Sequence, residues 1–160
     1  SKLLPLLTTH YSLLTFFMED FGVEWRLKAI RGATTVTENT AQAIDEAVTE
    51  MLDELEVKNQ LDPTQIVSVT FTVTRDLDAV FPAAIARKRP DWDCVAMLDV
   101  QQMHVVGSLE RCIRCLIHAN LPANQVQVWH PYLRKAKNLR PDWSSPQQLV
   151  QPESVQSHLR

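Results

Sequence analysis

Residues 66–74 read IVSVTFTVT, in which Val67, Val69, Phe71 and Val73 alternate with serine and threonine. A period of two in β-branched and aromatic residues is the pattern of a half-buried strand. The stretch just upstream, TENTAQAIDEAVTEMLDELEVKNQ (37–60), has a different period. Ile44, Val48, Met51, Leu52 and Leu55 recur at helical spacing, and Asn39 or Thr40 can cap the start, which predicts a helix over 40–58. Asp62-Pro63 between the two reads as an N-cap followed by proline at N1, so a short helical turn is expected there. A long helix feeding a strand through so short a connection sets the class as mixed α and β.

Working outward, Trp25–Arg31 (WRLKAIR) alternates as a strand, with Gly32 expected to end it. Pro82 opens a second helix, AAIARKR, expected to stop before Pro90. Cys94–Val100 (CVAMLDV) reads as an apolar strand. Gly107-Ser108 precedes LERCIRCLIHAN, which predicts a third helix with Leu109, Cys112, Ile113, Leu116 and Ile117 on one face. A last strand is expected within Val126–Leu139, interrupted by Pro131. The expected order is strand, helix, strand, helix, strand, helix, strand, an α/β (α+β) domain. No internal repeat and no linker divides it.

The 160 residues suffice for one domain with a core, and 45% are hydrophobic. A net charge of -3 disfavours nucleic acid as the main partner. Cys94, Cys112 and Cys115 form no evident framework, which implies reduced thiols and a cytoplasmic setting. No apolar run is long enough for a membrane span. Residues 3–17, LLPLLTTHYSLLTFF, match a signal peptide poorly and are expected to extend outside the domain, with Met18 as a candidate start. The tail, residues 144–160, is rich in Ser, Pro and Gln and is expected to be flexible.

Motifs for nucleophilic or phosphate chemistry are missing: there is no G-x-S-x-G, P-loop or G-x-G-x-x-G, and three glycines in all. Cys112, Cys115 and His118 lack a fourth ligand, so core packing is the expected role and no metal is expected. His104 and His130 lie near strand ends, where solvated or hydrogen-bonded histidines are common. The arginines carry more chemistry. Arginine grips carboxylates as a fork and stays charged. Arg31, Arg87, Arg114 and Arg140 all fall at or near expected element ends or on helices, and together would hold a dianion. Spacing alone leaves solvated arginines as the commoner outcome.

Four local strings narrow the choice: IRGATTV (30–36), DLDAVFPA (76–83), QQMHVVGSLERCIR (101–114) and YLRKAKNLRPD (132–142). Each resembles a block of the AroH-class chorismate mutases, and their mutual spacing fits that family without insertions. The likeness covers roughly residues 25–143. It implies a homotrimeric pseudo-barrel, helices on one side of a mixed sheet, and active sites between subunits. It also implies a cofactor-free rearrangement of chorismate to prephenate in phenylalanine and tyrosine biosynthesis. A trimeric protein that binds a small dicarboxylate without turning it over is the alternative.

The resemblance implies a site containing Arg31, Arg114, Tyr132 and Arg140, with Leu139, Leu98, Asp99 and Gln102 nearby. The neighbouring subunit would supply Phe81, Ala83 and Arg87. Arg114 is expected at the ether oxygen and a carboxylate, and Arg31 with Tyr132 at the enolpyruvyl carboxylate. Three positions depart from the family pattern. Gln102 stands where glutamate is common, Asp99 where cysteine is common, and Ala84 where lysine is common. The expectation is that Asp99 supplies the carboxylate that Gln102 lacks. Strict alternation would put 99 and 102 on opposite faces, so the strand has to end or bend between them.

Overall fold

The computed structural model describes residues 22–144. The expected extension over residues 1–24 and the tail lie almost wholly outside that range. Four strands form one sheet: β1 (Trp25–Thr35), β2 (Ile66–Val73), β3 (Ala96–Gln101) and β4 (Cys112–Pro122). Their order is β1-β4-β2-β3. β4 runs antiparallel to both β1 and β2, and β3 runs parallel to β2. The sheet is mixed, as expected.

Helix α1 (Ala41–Asn59) starts at Thr40, whose side chain accepts from the Ala43 N–H, and stops at Gln60 in the left-handed region, φ 49°. Its buried stripe of Ile44, Val48, Met51, Leu52 and Leu55 packs with Ile30, Phe71, Ile113 and Ile117 from the sheet. Asp62 caps a 3-10 turn, Pro63–Gln65, before β2. Helix α2 (Pro82–Ala86) is shorter than expected. Beyond it the N–H groups of Lys88 and Arg89 reach back three residues, to Ile85 and Ala86, so the chain tightens into turns. Among the described residues, no helix is long and apolar enough to cross a membrane.

Three expectations fail. The third helix is instead β4, a central strand. Its buried residues Ile113, Cys115, Ile117, Ala119 and Leu121 follow a period of two. A helical stripe through the same letters exists, but this segment fills the gap between β1 and β2, and tertiary pairing overrides local pattern. Gly32 does not end β1, which continues to Thr35. Glycine is required there by close approach: a Cβ would lie 2.8 Å from Cys115 Sγ and 3.1 Å from Leu55 Cδ1.

The last strand shrinks to one bridge, Ala33 with Tyr132. The Ala33 N–H donates to the Pro131 carbonyl and the Leu133 N–H to the Ala33 carbonyl. Pro131 has no N–H to extend the ladder, and Arg134 turns the chain at φ 51°. A 3-10 helix (Arg134–Leu139) and a short helix α3 (Pro141–Ser144) follow.

Candidate active site

Alternation along the sheet divides the residues of interest. In the β1–β4 register Ala33 faces Arg114 and Arg31 faces Leu116, while in β2–β4 Thr72 faces Arg114. Arg31 and Arg114 therefore share the face opposite α1. The Ala33–Tyr132 bridge lays the last segment beside them. Tyr132 is buried, and that burial pushes its hydroxyl up while Arg31, Arg114 and Arg140 pull it down. Three guanidiniums thus converge electrostatically on one phenol. Leu139 packs against the small apolar cluster of Ala33, Tyr132 and Ala136.

The three arginines differ in what they already hold. Arg114 Nε is buried with no hydrogen-bond partner among the described residues. Its neighbour is the buried Cys112 thiol, raised by desolvation and opposed by Arg114 itself. Arg31 makes no ion pair among the described residues, and its backbone N–H donates to His130 Nδ1 at 3.0 Å. That bond requires a neutral imidazole with its proton on Nε2. Burial lowers the His130 pKa, and the charges of Arg31 and Arg140 lower it further. Arg140 holds Asp142 with two bonds, Nε to Oδ1 at 3.0 Å and Nη2 to Oδ2 at 2.7 Å.

A second group lies around α2. Asp99 is registered with Phe71, a core residue, so it points to the helix side of the sheet. Its Oδ1 accepts from the Ala83 N–H at 3.0 Å. Burial raises the Asp99 pKa, against the lowering by that N–H and by nearby Arg87. Phe81 is 69% exposed and lines an open cleft of about 510 Å³ with Asp99, Val100 and Gln101. Leu98 is exposed on the other face.

Gln102 follows the end of β3, where its N–H donates to the Val73 carbonyl. Its Oε1 lies 3.5 Å from Thr72 Oγ1, and Thr72 faces Arg114. The fold therefore brings Arg31, Arg114, Tyr132, Arg140 and Leu139 together, with Gln102 linked through Thr72. Phe81, Ala83, Arg87 and Asp99 form a separate group on the other side of the same subunit: Asp99 was expected beside Gln102 and the arginines, but alternation along β3 registers it with Phe71 on the helix side, where it accepts from the Ala83 N–H.

Among the described residues, no group of three or more metal-ligating side chains exists. Cys112 and Cys115 point to opposite faces of β4, and burial raises the Cys115 thiol to about 12. Sequence reasoning left out His130 and Trp143 as parts of the arginine cluster. Trp143 stacks on His130 with ring centres 4.2 Å apart and meets Tyr132 edge-on at 5.6 Å. The one available signal was an aromatic residue three positions after Arg140, across a proline turn.

Residues 27–143 match the family model described as chorismate mutase type I. The chain is 36% identical over 118 residues to the Bacillus subtilis (strain 168) protein named chorismate mutase AroH, covering 74% of this chain and 93% of that one. It is 41% identical over 122 residues to the Thermus thermophilus protein of the same name, covering 76% and 99%. A solved structure described as chorismate mutase from Clostridium thermocellum superposes with a TM-score of 0.64 at 43% identity, covering 69% of this chain and 98% of that chain. With most of its length matched by the family model and by relatives at this level of identity, the chain belongs to the type I chorismate mutases.

Proposed function

We propose that this protein rearranges chorismate to prephenate in the cytoplasm, as a step toward phenylalanine and tyrosine. The observation that carries the reading is geometric: Arg31 and Arg114 share the sheet face on which the Ala33 bridge lays Tyr132, Arg140 and Arg31 lie over the Trp143 ring that Tyr132 meets edge-on, and Arg114 Nε is buried with no hydrogen-bond partner among the described residues. A buried guanidinium donor without a partner is costly unless a ligand completes it. Chorismate offers two carboxylates and an ether oxygen that gathers negative charge as its C–O bond breaks.

The rearrangement is intramolecular. Its catalyst has to hold the enolpyruvyl arm over the ring and meet the developing charge with fixed dipoles and cations. Arg114 serves the ether oxygen and a carboxylate. Arg31 and Tyr132 grip the enolpyruvyl carboxylate. Arg140 adds positive field at the mouth, and Leu139 and Phe81 close on apolar parts of the substrate.

The active assembly is a homotrimer with each site between subunits. Two features support this. The sheet face opposite α1 leaves Leu27 and Leu98 about 60% exposed, an apolar surface that a partner would cover. The two residue groups also lie on opposite sides of one subunit, so each is half of a site. In this arrangement Asp99 comes from the same subunit as Phe81, Ala83 and Arg87. It faces the substrate ring hydroxyl across the interface and balances the ring cation, while Gln102 adds a neutral hydrogen bond.

The direct test follows loss of chorismate absorbance with the wild type, Arg114→Ala and Asp99→Asn. Turnover that collapses in both variants supports the assignment. A wild type that forms trimers but leaves chorismate intact rules it out.

A further inference from the structure

Trp143 occupies a position that the reaction chemistry does not explain. Its ring centre lies 3.5 Å from the Arg140 guanidinium carbon and 5.7 Å from that of Arg31. One face stacks on His130, and Tyr132 meets its edge. Two site cations therefore share one indole. Like charges held this close repel, and the negative face of an aromatic ring offsets part of that repulsion. The indole itself is stacked on His130, whose Nδ1 is engaged by the Arg31 N–H. The residues that grip Arg31 and Arg140 are thus one connected unit. Asp142, adjacent in sequence, takes the Arg140 fork while the guanidinium face rests on the ring.

We propose that Trp143 is a positioning residue for the dianion, a bracket that holds the Arg140 guanidinium on the same wall as Arg31 and Tyr132 before substrate arrives. The proposal rests on the mutase reading for the identity of the dianion, but not for the existence of the bracket. Trp143 acts through the Arg140 guanidinium, the nearer of the two, and touches no reacting atom. Its contribution is to binding: a guanidinium already in place loses less freedom when a carboxylate docks. Polar groups that balance the cluster support the same view. His130 stays neutral beside two cations, so the bracket adds no charge of its own.

The experiment measures chorismate turnover and prephenate binding by titration calorimetry for the wild type, Trp143→Phe, Trp143→Leu, Arg140→Ala and the Trp143→Leu/Arg140→Ala double variant. Trp143→Leu should raise KM and the prephenate Kd by about fivefold, the scale of a cation–π contact near the surface. Its kcat should stay within about twofold, since the reacting atoms are untouched. Trp143→Phe should recover most of the affinity because it keeps a ring. The double variant should bind no worse than Arg140→Ala, because the indole acts through that guanidinium.

A Trp143→Leu protein with wild-type KM and Kd overturns the bracket and leaves the mutase reading standing. So does a double variant whose losses multiply, or a Phe variant no better than Leu. A wild type that binds prephenate with the expected variant pattern but turns over no chorismate overturns the activity and keeps the bracket. A wild type that does neither overturns both.

Discussion

An arginine grips a substrate carboxylate most strongly where its own neighbours leave the fork free. Arg140 already gives Nε and Nη2 to Asp142 at the rim, whereas Arg114 Nε is buried with no hydrogen-bond partner among the described residues. On the proposed reading the heavier catalytic load therefore falls on Arg114. Arg114→Ala should lower kcat by about 10²–10³, roughly 2.7–4 kcal/mol, as for loss of an aimed oxyanion donor. Arg114→Lys keeps the charge without the planar fork and should remain far below wild type in steady-state kinetics. Asp99 makes a pH prediction. Burial raises its pKa, so it binds a proton at a higher pH than an ordinary aspartate. If its carboxylate balances the ring cation, activity falls as pH drops through that raised value. The acid limb should vanish in Asp99→Asn along with most of kcat. A variant that keeps wild-type kcat and the same limb would remove Asp99 from the mechanism. These residues were legible through family likeness, since four scattered arginines carry no spacing signal. His130 and Trp143 were not, because nothing in a histidine before Pro131 announces a stack with a residue 13 positions away.

At the scale of elements, β4 carries both the core and the site. Odd-numbered Ile113, Cys115 and Ile117 pack toward α1, and even-numbered Arg114 turns to the opposite face. Read as a helix, the same string would have put Cys112, Ile113, Leu116 and Ile117 on one face, whereas in the strand Cys112 and Leu116 share the face of Arg114. The letters CIRCLI suit both periods, and the choice was made by partners more than 30 residues away in β1 and β2. The long α1 and the β2 strand were legible because each has one clear period and a cap or proline at its start. Gly32 tests how tightly β1, β4 and α1 close. Gly32→Ala puts a methyl group 2.8 Å from Cys115 Sγ, 3.1 Å from Leu55 Cδ1 and 3.2 Å from Met51 Cγ. Overpacking of this kind costs about 1–3 kcal/mol, to be read from the midpoint of denaturant unfolding. Cys115→Ala in the Gly32→Ala background should return part of the loss by removing the closest atom. If the double variant is no more stable than Gly32→Ala alone, the clash with sulfur is not the cause.

For the whole molecule, the question is what covers the sheet. Helices α1 and α2 shield one face only, and Leu27, Leu98, Val100 and Leu116 stay between 37% and 61% exposed on the other. The proposed trimer would cover this band, as exposed apolar patches commonly mark interaction surfaces. Leu116→Glu at the centre of β4 should dissociate the assembly in sedimentation velocity and make activity depend steeply on protein concentration. None of this was legible from periodicity, because an alternating strand with one solvated face and one with a face buried by a partner look alike. The division of the site gives a sharper test. Arg114→Ala and Asp99→Asn each inactivate a different half. If one subunit supplied both halves, mixing the two inactive proteins through unfolding and refolding would restore nothing. If each site takes Arg114 from one subunit and Asp99 from its neighbour, some mixed trimers pair an intact Arg114 with an intact Asp99. Random mixing at equal amounts satisfies both conditions in about one site in four, since closed cyclic assembly gives every subunit one neighbour on each side. Recovered activity near a quarter of wild type places the reaction at the interface. No recovery, from trimers shown to be mixed by mass spectrometry, means that Arg114 and Asp99 act from the same subunit and overturns the proposed division between them.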